Sequence, residues 1–195
     1  MSLNFLADLL TALHMLCFAA GIGASLFLET LIVPRFFRSI ERSDLTTLMQ
    51  GHRLIELAVA GLWLTGFSIL FVKTAIMGAP LTPKLAMKFV VVALLTFNMK
   101  MIAEHALPVL RHNCGKHLGV LTRYELQLLG AIAGLSAACW LAALGLGAIS
   151  LFKALATWQL LLLFGPPLIA APVIGSFLAP RMVDKARLGP RLALW

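Results

Sequence analysis

Nearly all of this 195-residue chain is taken up by apolar runs long enough to cross a bilayer, and that feature removes most folds from consideration. A helix needs roughly 20 apolar residues to span the hydrocarbon core. Five stretches reach or approach that length: Leu3–Val33, Leu54–Phe71, Leu85–Leu107, Leu126–Ile149 and Leu155–Leu178. Lipid offers no partners to backbone N–H and C=O groups, so each run must satisfy its own as a helix. The expectation is an all-α, polytopic membrane bundle of five transmembrane helices forming one integral domain over residues 1–195. Composition agrees, because a soluble domain cannot hide a chain that is 61% hydrophobic and 12% charged. The first run lacks a basic n-region and a small-residue cleavage site, so it reads as a retained helix.

The net charge of +8 is distributed unevenly. The 34–53 connection carries Arg35, Arg38, Arg42 and Arg53; the 108–125 connection carries Arg111, Lys116 and Arg123. The tail adds Arg181, Lys185, Arg187 and Arg191, whereas the other side has Lys73, Lys84 and Lys153. The positive-inside rule then puts the N-terminus outside and the C-terminus in the cytoplasm. The charge is a topology signal with some attraction to anionic lipid, and no folded basic face for nucleic acid exists. Cys17, Cys114 and Cys139 form no CxxC pair, so neither a disulfide framework nor a thiolate metal site is indicated.

Within a membrane, polar or small residues at helical spacing mark the face that meets other helices. His14, Phe18, Gly21, Ser25 and Glu29 share one face of the first helix; His52, Glu56, Val59, Trp63 and Gly66 share one of the second. In the third, Lys84, Lys88, Val91, Leu95, Asn98 and His105 fall on one side, which suggests a central helix. Gly130 and Gly134 make a GxxxG step continued by small residues, a surface for close packing within the bundle or for docking a homo-oligomeric or larger-complex partner. Pro166, Pro167 and Pro172 are expected to kink or break the fifth helix. A short amphipathic helix capped by Ser43 or Asp44 is expected on the cytoplasmic surface before the second span.

Ionisable groups are costly in a bilayer, so each is a candidate for function. His52 and His105 are placed at similar depth on inward faces, a pair suited to ligating one haem b. Glu56 or Glu104 would orient a ligating imidazole through its second nitrogen. His14 lies deeper, with Gly21 on the same face leaving room for a flat ring. Lys84 and Lys88 either snorkel to the outer interface or attract the carboxylates of an anionic substrate such as a porphyrin. The spacing of His112, Cys114 and His117 matches no established zinc pattern.

The segments "ALHMLCFAAGIG…VPRFFR", "HRLIELAVAGLWLTG" and "PKLAMKFVVVALLTFN" resemble the core of the CopD/HemJ group of bacterial membrane proteins over roughly residues 10–110. His14, Pro34–Arg35 and Lys84–Leu85 stand where that group has its helix-one histidine, Pro-Arg and Lys-Leu. The resemblance implies haem b binding through His14, a role for Lys84 in handling substrate, and redox chemistry on a porphyrin or transfer of electrons to quinone. Copper handling, or a non-catalytic place in a larger membrane complex, is the alternative. The chain departs from the pattern in the longer His14-to-Pro34 spacing and in one further helix.

Overall fold

The computed structural model describes residues 3–36 and 39–192; Arg38, counted above, lies outside them, as do the side chains of Arg187 and Arg191. Helices run over Leu3–Ile32 (α1), Arg42–Phe71 (α2), Pro83–Met101 (α3), Leu107–His112 (α4), Arg123–Ala148 (α5) and Thr157–Leu192 (α6). A π turn over Ile102–Ala106 joins α3 to α4, so five segments are long and apolar enough to cross a membrane: Asn4–Arg35, Arg42–Ile76, Pro83–His112, Arg123–Ala148 and Thr157–Lys185. The protein is an all-α, multi-pass membrane protein. Leu57, Leu64, Phe97 and Ile169 are among the large apolar side chains left on the outside, where acyl chains cover them.

The short connections make neighbouring spans antiparallel. One end of the bundle therefore holds residues 33–36, 39–41 and 113–122 and the start of α2 and α5; it is the arginine-rich end. The other holds Lys73, Lys84 and Lys153; it is the lysine end. At the arginine-rich end the two connections are tied together. Ser39 pairs with His117 in a β-bridge, and Gly115 N–H donates to Ile40 O at 2.8 Å. Gly115 has φ +84°, a conformation that side chains with a Cβ rarely adopt. The tie buries Ile40 fully over Leu48, Leu107, Leu110, Leu118, Leu126 and Val183, a cluster that seals this end.

A larger apolar cluster fills the middle, built from Ile55, Val59 and Leu62 of α2, Val91 and Leu95 of α3, Cys139, Trp140 and Leu146 of α5, and Leu160, Phe164 and Leu168 of α6. Helix α1 packs along α2, and α3 lies against α2, α5 and α6. Trp63 Nε1 donates to Thr96 Oγ1 at 2.9 Å, and Trp63, Phe67 and Phe89 stack with centroids 5.2–5.9 Å apart, fastening α2 to α3.

The tightest seam joins α5 to α6. A Cβ on Gly130 would collide with the Gly175 carbonyl, one on Gly134 with the Ala171 carbonyl, and one on Gly175 with the Gly130 carbonyl. The GxxxG step thus meets small residues spaced every fourth position on α6 (Ala171, Gly175, Ala179), the arrangement that lets two helix backbones touch. This face is filled from within the chain, so it is not the partner-docking surface allowed for above.

Two sequence expectations about the helices are corrected. No separate surface helix precedes the second span. Helix α2 starts at Arg42 and continues into the membrane, because the Glu41 side chain and Asp44 close a capping box and Arg35 pairs with Asp44 at 2.7 Å. The prolines do not break the last helix, which runs unbroken through Pro166, Pro167 and Pro172. Transmembrane helices tolerate a lost N–H where neighbouring groups take up the freed carbonyls.

Candidate functional site

His14 is half-buried between α1 and α2, and its Nδ1 lies 2.8 Å from Thr65 Oγ1. The Thr65 hydroxyl donates its only proton to Gly61 O at 2.6 Å. It must therefore accept from His14, which fixes the proton on Nδ1 and leaves the lone pair of Nε2 unused. Gly66 packs beside the ring, where a Cβ would stand in ordinary contact 3.5 Å from His14 Cε1. An imidazole held through Nδ1 with Nε2 free is the arrangement of a metal-ligating histidine with its supporting hydrogen bond already made.

Lys88, half-buried on α3, is the charged group close enough to act on His14. Lys84, Lys73 and Lys153 in turn act on Lys88, so four ammonium groups gather at the lysine end beyond His14. Among the described residues the ion pairs Arg35–Asp44 and Lys100–Glu104, and the contact of His52 with Glu56, involve none of these four lysines. Lys84 itself is 6% exposed and donates from Nζ to Ile149 O at 2.7 Å. Ile149 caps the C-terminus of α5, so Lys84 places a cation at the negative end of that helix dipole. Its ammonium is thus engaged in the fold, whereas Lys88, half-buried, lies nearer His14.

The other predicted residues are not brought together. His52 is buried on α2, with Nε2 at 3.2 Å from Glu56 Oε1 in a geometry too bent for a hydrogen bond. His105 is exposed, within the π turn, beside Glu104, which pairs with Lys100 at 3.7 Å. His52 and His105 therefore share no inward face, and a haem held between them does not fit. Gly21 is no cradle either: the Trp140 indole occupies the space a Cβ would take. His112 and His117 are exposed, and Cys114 Sγ contacts Ile40 O at 3.8 Å, so that loop closes the arginine-rich end. Among the described residues no three His, Cys, Asp or Glu side chains converge as a metal site.

The Thr65 contribution escaped the sequence reading, because it lies within reach of His14 only through the α1–α2 register, which no spacing within one helix reveals. No family model, no curated protein and no solved structure matches this chain.

Proposed function

We propose that the protein is a redox protein of the bacterial cytoplasmic membrane, its C-terminus inside, that holds one haem b in the outer half of the bundle. The observation that carries the reading is the Thr65-anchored His14, whose Nε2 is free. His14 would hold the iron through Nε2, and Lys88 would meet the propionates or the carboxylates of a porphyrin substrate. The haem would supply a one-electron centre there; the chain's own residues would orient the ligand and balance its negative charge. Lys84 supports this site by holding the end of α5 in place. The resemblance to the CopD/HemJ group over residues 10–110 points the same way, toward porphyrin oxidation or electron transfer to quinone. Copper handling has less support, lacking a converged set of three ligands among the described residues.

The test is a set of oxidised and reduced absorption spectra on purified wild type, His14→Ala, His52→Ala and His105→Ala. The reading expects a Soret band lost in the first variant and retained in the other two. A band lost with His52 or His105 instead, or no Soret absorption in wild type, refutes it.

A further inference from the structure

Four helices each contribute one buried polar side chain at a single depth in the arginine-rich half, and the site proposed above uses none of them. Ser25 (α1), His52 (α2), Asn98 (α3) and Ser136 (α5) are 5%, 4%, 2% and 9% exposed. Their common depth follows from the helix registers. His14 meets Thr65 and Leu28 lies over Gly51, which puts Ser25 opposite Arg53 and Leu54, about 3 Å along the axis from His52 at a rise of about 1.5 Å per residue. Ser25 Oγ and Ser136 Oγ are 3.3 Å apart. Lys84 bonds to Ile149, and fourteen residues along each antiparallel helix from that pair stand Asn98 and Leu135, next to Ser136. The central apolar cluster lies on one side of this layer and the sealing cluster on the other.

The layer's hydrogen bonding is incomplete within the protein. His52 Nδ1 and Nε2 and Asn98 Oδ1 are buried without hydrogen-bond partners. Whichever serine donates in the Ser25–Ser136 pair, the accepting hydroxyl keeps its own proton. A neutral imidazole has one donor and one acceptor, so the inventory mixes donors with acceptors and carries no net charge. Leaving such groups unmet costs roughly 1–3 kcal/mol each. A cation would find too few acceptors and an anion too few donors. Water, which both donates and accepts, matches the set, and buried waters usually bridge two to four such groups.

We propose that Ser25, His52, Asn98 and Ser136 form an internal water-binding site with the Glu56 carboxylate at its edge. Glu56 stands at the boundary, its side chain 43% exposed while its Oε1 touches the His52 ring. Water there links α1, α2, α3 and α5 by hydrogen bonds between two dry clusters. It also gives the ring of His52 an exchange route that its burial alone would deny it.

Water-edited solid-state NMR on histidine-labelled protein in lipid nanodiscs reads this directly, with His52 assigned by its loss in His52→Phe. The ring nitrogens of His52 are expected to receive magnetisation from water on the timescale of the exposed His112 and His117 rings. Asn98→Leu, which removes one wall of the site, should slow that transfer at His52 severalfold and leave His112 and His117 unchanged. No transfer to His52 in wild type overturns the proposal, and so does transfer that Asn98→Leu leaves intact. The wild-type spectrum decides even where the variant does not fold. Because it reads His52 alone, it is independent of whether haem binds at His14.

Discussion

Replacing Gly130 with alanine should separate α5 from α6. The added methyl would run into the Gly175 carbonyl carbon and oxygen and stand 2.8 Å from Ala179 Cβ. Carbon–carbon contacts settle near 3.5–4.0 Å, so even the mildest of these overlaps is short by about 1 Å. Backbone on both sides cannot rotate out of the way, so relief comes only by moving the helices apart, which also loosens Gly134 from Ala171. Overpacking of this kind costs about 1–3 kcal/mol. Alanine's better helix propensity returns up to about 1 kcal/mol. Gly147, on the same helix, isolates the second effect, because a Cβ there meets nothing within 4 Å. Gly130→Ala should therefore be less stable than Gly147→Ala by about 2 kcal/mol, or about 4–8 °C in melting temperature for a chain of this size. Thermal unfolding in detergent, followed by tryptophan fluorescence, measures the difference. Equal melting temperatures for the two variants would refute the close-contact argument.

Three further outcomes are expected. Lys84→Met should lower stability by about 2 kcal/mol in the same melt through loss of a charge-assisted bond to Ile149 O, and Lys84→Gln by less; an unchanged Lys84→Met melt would show that the bond is not made. Trp63→Phe should cost about 1 kcal/mol by removing the bond to Thr96 Oγ1 while keeping most of the aromatic stack, and a melt identical to wild type contradicts it. A reporter fused after Trp195 should be active in the cytoplasm and silent in the periplasm, the reverse result overturning the orientation read from the arginine-rich end.

The fold was legible because lipid makes it so: length and apolarity alone delimit a spanning helix, and five such segments are present. What the sequence hid lies mostly in local backbone geometry. The buried stripe of α3 runs through Lys84, Met87, Val91, Leu95 and Asn98, and at 3.6 residues per turn it extends to His105. The π turn at Ile102–Ala106 takes up one extra residue, so the buried phase resumes at Ala106, Leu107 and Leu110, and His105 is turned outward. Pro108 gives a reason for that turn, since it has no N–H to offer the carbonyl four residues before it. The start of α2 was missed for a different reason. Its polar first turns look like a surface segment unless Arg35 is known to reach Asp44 across the connection. Gly130 and Gly134 were readable as a contact face, but the partner was not: Ala171, Gly175 and Ala179 sit among prolines that suggested a broken helix. For the site, His14 stood out as an imidazole deep in a span, whereas the Thr65 hydroxyl that fixes its proton becomes visible only once α1 and α2 are docked.

The most direct test of the central claim is chemical rescue at His14. Wild-type protein purified from haem-replete cells should carry one haem per chain by pyridine haemochrome against protein concentration. His14→Gly should carry little, and added imidazole should restore the Soret band by occupying the space the side chain vacates beside Thr65 and Gly66. Haem retained in full by His14→Gly without imidazole, or wild-type protein free of haem, would contradict the account.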